Sequence, residues 1–350
     1  MRRVFRVAAA AIGLAFAGSI GAAEPSKCAL VRVAEWPVRL EHNKLIVDGA
    51  VNGQKVGIML DTGAARSMIL RSAATRLGLP MRQARGYRMF GIGGETYVEA
   101  ARIDEFSIGQ AARKGWSVVV AGERSLGRDV VFILGEDFFH DVDVEFDLAH
   151  HAVRLFQPRD CDGVALAYWA LNGASEVEIE RISSQAQILL TVQINGQPVT
   201  ALLDSGAGAS VLTLRDAARL GVTPETPGVV AGGRSAGLGQ KSVENWIGPF
   251  ASFAIGNETI RDTKIRFADI WKDATYTPVA SHLAKRLEGL PAMLLGADFL
   301  HAHRVLVAHS QRKMYFTYAG GPVFALTGPL DSRSDSGEAG DGAKPASGEN

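Results

Sequence analysis

Two short runs of this chain could do chemistry together: Met59-Leu60-Asp61-Thr62-Gly63-Ala64 and Leu202-Leu203-Asp204-Ser205-Gly206-Ala207. Each is an apolar stretch ending in a carboxylate, a hydroxyl, a glycine and an alanine. Two carboxylates brought within about 3 Å of each other cannot both ionise cheaply, so they share one proton and titrate as a pair. One member can take a proton from a water while the other protonates or hydrogen-bonds a carbonyl, with no metal and no covalent intermediate required. A single Asp-hydroxyl-Gly is ordinarily a turn, since Asp and Gly are turn formers. Two in-register copies need another account. Residues 51–79 align without a gap on residues 194–222, with 13 of 29 positions identical, so the chain is a duplicated unit and the aspartates are matched positions in it.

The elements that must position these loops are legible in outline. Short β-rich stretches bounded by Gly, Asn and Pro recur, and extended amphipathic helices are few, so an all-β chain of two lobes with short helices is expected. Asn52-Gly53 and Asn195-Gly196 each lie between apolar runs, which predicts a tight hairpin whose second strand leads into an Asp motif. Ser72 to Leu77 and Arg215 to Leu220, each stopped by Gly and Pro, read as short helices. Glycine-rich tips, Gly91-Ile92-Gly93-Gly94 and Gly237-Leu238-Gly239, follow the aspartates by 30 and 33 residues and would suit a mobile lid. Each copy then reaches Ile133-Leu134-Gly135 or Leu294-Leu295-Gly296 and closes in an alternating segment, Val142 to Phe156 or Arg304 to Tyr318.

Asp-Thr-Gly-Ala and Asp-Ser-Gly-Ala, each followed by an apolar-apolar-Gly element, resemble the aspartic protease superfamily, and its retropepsin-like branch most closely. The resemblance covers roughly residues 40 to 320 and implies two retropepsin-like β lobes fused in the pepsin manner, with pseudo-twofold symmetry. It implies that Asp61 and Asp204 are catalytic, and that Thr62 and Ser205 bond across the lobe junction. Gly63 and Gly206 would leave room for backbone amides to face the carboxylates. Gly135 and Gly296 would lie where a strand passes behind the active loop. The Gly91–Gly94 and Gly237–Gly239 flaps would cover an extended peptide, and neither Tyr87 nor Tyr97 is a certain counterpart of the pepsin flap tyrosine. Pepsins usually follow the glycine with Ser or Thr, whose hydroxyl supports the ionised carboxylate. Ala64 and Ala207 cannot, so an activity optimum less acidic than pepsin's is expected.

Composition bounds the rest. The 350 residues, 47% hydrophobic, can build an ample core. Residues 1–23 carry Arg2, Arg3 and Arg6, then an Ala-rich uncharged run, then Gly21-Ala22-Ala23, the pattern of an export signal. The stretch is short for a membrane span, with an uncleaved anchor as the alternative. Without its three arginines the chain has 34 basic and 37 acidic residues, which asks for neither nucleic acid nor an anionic membrane. Two cysteines, Cys28 and Cys161, could form one disulfide in an oxidising compartment or remain unpaired thiols. The domain reading is therefore a signal peptide at 1–23, an N-terminal lobe at 28–158, a linker at 159–184 that could add a shared strand, a C-terminal lobe at 185–326 and a disordered tail at 327–350.

Other candidates are weaker. Asp137 and Asp298 match between copies but open a segment after glycine, which favours helix capping over catalysis. His301-Ala302-His303 and His150-His151 lack a complementary ligand set, so no metal and no cofactor is expected. His140 and His301 are equivalent without a functional account. Neither a Gly-x-Ser-x-Gly elbow nor a phosphate-binding loop is present. The expectation is an exported, periplasmic or secreted, monomeric aspartic endopeptidase acting on extended peptides. The alternative is a catalytically silent peptide-binding or scaffold protein using the same cleft.

Overall fold

The computed structural model describes residues 28–324 except 123, 125, 128, 171, 181–186, 240 and 277–284; the expected signal at 1–23 and the expected disordered tail at 327–350 lie outside the described residues. The chain is mainly β and bilobal. The first lobe is an eight-stranded sheet and the second a seven-stranded one, and each curls so that its first long strand also pairs with the strand leaving the flap. Both Asn-Gly hairpins form: Val51 pairs with Gln54 and Ile194 with Gln197. Asn52 and Gly53 have φ of 49° and 77°, and Asn195 and Gly196 have 52° and 72°, the left-handed pair that a two-residue hairpin needs.

Strands facing solvent on one side alternate in burial, as in Gly94–Ile108, whereas Val130–Leu134, Met68–Leu70 and Met293–Leu295 are buried throughout. Those continuous apolar strands are the ones at the site. Gln54–Leu60 runs parallel to Val130–Leu134, and Met68–Leu70 returns antiparallel on its other side. The segment from 61 to 67 therefore straddles the end of a third strand, with a short strand between the aspartate and the helix Arg71–Arg76. The second lobe repeats this with Gln197–Leu203, Met293–Leu295, Val211–Thr213 and the helix Leu214–Arg219, which Thr213 caps by accepting from the Asp216 amide.

The closing hairpins leave their lobes. Ala29–Pro37, Ala152–Arg159, Asp143–Asp147, His303–Ala308, Lys313–Tyr318 and Ser175–Glu178 form, in that order, one six-stranded sheet drawn from both lobes and the linker. Across its middle Val144 pairs with Val307, Glu145 with Leu306 and Phe146 with Val305. Glu145 and Asp147 are buried there. Arg154 donates to both, at 2.6 and 2.8 Å, and Arg304 donates to Glu145 at 3.0 Å while lying over the Trp169 ring. Two guanidinium groups thus answer two buried carboxylates, which is the condition for tolerating them.

Cys28 and Cys161 are joined by a disulfide, with Cα atoms 4.3 Å apart, where the first strand begins beside the end of Ala152–Arg159. Because the bond closes a loop of 133 residues, opening it frees much chain entropy in the unfolded state. Replacing both cysteines by serine is expected to lower stability by about 2–5 kcal/mol in urea denaturation, and a reductant should bring the parent chain toward the same midpoint.

Candidate active site

The two Asp motifs meet back to back at the junction of the lobes. The Thr62 hydroxyl donates to Leu203 O at 2.7 Å and accepts from the Ser205 amide at 3.0 Å. The Ser205 hydroxyl donates to Leu60 O at 2.9 Å and accepts from the Thr62 amide at 3.0 Å. Each hydroxyl of one lobe thereby satisfies two backbone groups of the loops, and both are buried. Behind each loop the central strand is bonded to it: the Asp61 amide to Leu134 O at 3.0 Å, and the Asp204 amide to Leu295 O at 2.9 Å.

This clasp brings Asp61 and Asp204 together. A Cβ on Gly63 would fall on the Asp204 carboxylate and a Cβ on Gly206 on that of Asp61, so only glycine permits the approach. Asp61 Oδ1 accepts from the Ala64 amide at 3.0 Å, and Asp204 Oδ1 from the Gly206 and Ala207 amides at 3.0 Å each. Both side chains keep some surface open to the cleft. Burial pushes both carboxyls above the ordinary range. For Asp61 the rise is opposed by the Ala64 and Gly63 amides, by a hydrogen bond with Asp204 and by the positive charge of Lys44. For Asp204 the neighbouring Asp61 charge adds to the rise and holds it well above. Such a pair carries one proton over a range of pH in which isolated carboxylates would carry none.

The glycine-rich tips of the two lobes touch. The Gly239 amide donates to Ile92 O at 3.1 Å and the Lys241 amide to Gly93 O at 3.2 Å. Ile92, from the first lobe, packs on an apolar cluster of the second that contains Leu202, Val243 and Leu294. Leu238, from the second lobe, lies against Gly91 and Gly122 of the first. Each tip therefore crosses to the opposite lobe. Arg124 donates to Gly239 O at 3.2 Å, and Lys241 pairs with Asp273 at 2.8 Å. Tyr97 is exposed.

Asp137 and Asp298 do not cap their helices, contrary to the reading from sequence: the cap positions are Gly135 and Gly296, without a side-chain cap bond. Asp137 instead accepts from the Ser67 amide and hydroxyl, at 2.6 Å each, and the Ser67 hydroxyl accepts from the Gly135 amide at 3.0 Å. Asp298 and Ser210 repeat the arrangement, with the Ser210 hydroxyl donating at 2.6 Å. These pairs brace the back of each loop. The identity of Ser67 and Ser210 within the repeat was the signal that could have found them. His303 bonds Phe299 O and Glu258, and among the described residues no His, Cys, Asp and Glu side chains gather into a metal-holding group. Nor is any described helix long and apolar enough to cross a membrane.

One position breaks the symmetry behind the loops. Glu136, equivalent to Ala297, is fully buried, with Oε1 3.3 Å from Nε2 of His309, in the turn between His303–Ala308 and Lys313–Tyr318. Burial pushes the Glu136 carboxyl up to about 9, the neighbouring Asp137 adding to it, and burial lowers His309 to about 4.

A family model described as Aspartyl protease matches residues 47–138 and 190–299. No curated protein matches the chain significantly. Among solved structures the chain is similar to an aspartic proteinase from Irpex lacteus, at 11% identity and a TM-score of 0.47, over 81% of this chain and 97% of that one.

Removing the Ser205 hydroxyl strands a buried amide and a buried carbonyl. Ser205→Ala is expected to cost about 2–4 kcal/mol in chemical denaturation, with Ser205→Thr recovering most of it. A pH effect follows from Glu136. Folded, it keeps its proton up to about 9, whereas unfolded it loses it near 4.5, so its stabilising contribution is full below 4.5 and fades as pH rises through 9. His309, lowered to about 4 from 6.5, acts in the opposite sense, but only below 6.5. Between pH 6.5 and 9, where Glu136 acts without that opposition, the urea midpoint should fall with rising pH, and Glu136→Gln should flatten that slope.

Proposed function

The chain belongs to the aspartyl protease family, and on that premise we propose that it is an aspartic endopeptidase in which Asp61 and Asp204 activate one water between them. The observation that carries the proposal is the pair itself: two carboxyls, one from each repeat, each lying against the glycine of the opposite loop at the lobe junction and raised by burial. The ionised member accepts a proton from the water as it attacks the peptide carbonyl, and the protonated member hydrogen-bonds the carbonyl oxygen as charge develops there. The tetrahedral intermediate then collapses as a proton passes to the departing nitrogen. The amides of Ala64, Gly206 and Ala207 hold the carboxylates in place through this cycle.

A substrate lying extended beneath the flaps would exchange backbone hydrogen bonds with them, as an added strand does. Ile92 at the flap tip packs with buried Leu202 and Leu294 in one apolar cluster, surroundings that suit apolar substrate side chains beside the flap. Since one chain supplies both aspartates, the proposed active form is a monomer. Export to a periplasm or beyond it follows from the N-terminal Arg and Ala pattern, and the Cys28–Cys161 bond suits an oxidising compartment.

The test is cleavage of an unbiased peptide library between about pH 3 and 7, spanning the free Asp value and above. Asp61→Asn and Asp204→Asn should each lower kcat/KM by about 10²–10⁴-fold or more, without loss of fold. The optimum should lie above pepsin's, and a rate still climbing below about pH 3 would count against the raised pair. A folded parent chain that binds peptides and cuts none would make it a peptide-binding protein instead.

A further inference from the structure

The two halves of the dyad do not stand in equivalent surroundings. Ile46 pairs with Met59 in the first lobe, so the ladder continued by two residues sets Lys44 opposite Asp61. In the second the ladder begins only at Leu189, paired with Leu202, and the chain before it turns away, the Leu189 amide bonding Gln187 O at 3.1 Å. Lys44 and Gln187 are equivalent in the duplication. Asp61 thus has a cation beside it that the second copy, with glutamine at the matching position, does not offer Asp204.

We infer that Lys44 makes the dyad asymmetric: its ammonium, across the strand ladder from Asp61, holds the shared negative charge on Asp61 and leaves the proton on Asp204. This rests on the peptidase reading for its catalytic meaning. In those terms Asp61 starts the cycle as base and Asp204 as the proton donor, and Lys44 is a positioning residue that acts through Asp61.

The local geometry leaves Lys44 free for this task. Its side chain is half-buried, and its ammonium makes no hydrogen bond or ion pair with any described residue. Glu41, its partner across the hairpin, is ion-paired with Arg39, which also bonds Asp48 and Asp129. Asn43 donates to Gly208 O at 3.2 Å, pinning the hairpin end to the active loop of the other lobe. His42 and Arg66 are exposed. Arg124 and Lys241 belong to the flap contacts, and Asp137 is bound to Ser67. Glu136, behind the loop, keeps its proton throughout the acidic range. The charged groups acting on Asp61 are then Asp204 and Lys44, and burial lowers Lys44 while the Asp61 charge draws it back up. The ordinary lysine value lies far above the acidic range in which the dyad works.

Since a cation favours every ionised state of the pair, deleting it must raise both steps of the dyad's titration. Lys44→Gln, which copies the second lobe, should move both limbs of the kcat/KM against pH profile upward by about one unit, and Lys44→Arg should leave them in place. The same step should appear in ¹³C-carboxyl NMR titration of Asp61 and Asp204 in the full chain, where no cleavage is needed. If the parent chain cuts no peptide but Lys44→Gln still shifts the carboxyl titration, the peptidase reading falls and the role of Lys44 stands. Folded Lys44→Gln with unmoved limbs and unmoved carboxyl titration overturns the inference. So does a change confined to KM for substrates with acidic side chains, which would make Lys44 a subsite residue.

Discussion

Four hydrogen bonds made by two hydroxyls hold this molecule's chemistry in place. Thr62 and Ser205 each reach across the pseudo-twofold axis, and each meets a backbone donor and acceptor of the loops at once. Everything else at the site is a consequence. The loops can approach because Gly63 and Gly206 carry no side chain, and the carboxylates meet because the loops do. Burial then raises both carboxyls, and the backbone amides limit how far. Buried polar groups this close are stabilising only when all are satisfied. Here the clasp satisfies them with the same atoms that set the register of the two lobes.

Behind the clasp stands a second layer that repeats in both lobes. The central strands Val130–Leu134 and Met293–Leu295 enter between the strand that leads to each aspartate and the one that leaves it. Ser67 with Asp137, and Ser210 with Asp298, close that wedge from behind. The loops are therefore bound on both sides, in front by the opposite lobe and behind by their own. Rigid support of this kind is what keeps a reacting pair within a productive geometry.

Much of this was legible in the sequence, because duplication writes the important positions twice. The aspartates, the Asn-Gly hairpins, the short helices and the glycine tips are all matched between copies, and local turn chemistry specifies several of them. What stayed hidden depends on distant pairing. An aspartate after glycine looks like a helix cap, and nothing local says that Asp137 answers Ser67 from 70 residues away. Alternation in Asp143–Asp147 and His303–Ala308 marks strands but not their partner, so the sheet they share across the lobes could not be read. Lys44 escaped for the opposite reason: comparison of the copies highlights agreement, and Lys44 differs from Gln187.

The shared sheet also bears on how such a chain can change over time. In the second half Arg304 stands where the first half has Asp143, and Ala308 where it has Asp147. Two copies of the first half alone would bring Asp143, Glu145 and Asp147 to this sheet twice, with Arg154 as the one guanidinium from each side to answer them and His150 beside Asp147. The present chain balances Glu145 and Asp147 with Arg154 and Arg304. Uncompensated buried charge is strongly destabilising. The halves are accordingly complementary at this sheet, the first supplying the buried carboxylates and the second, through Arg304, part of the charge that answers them.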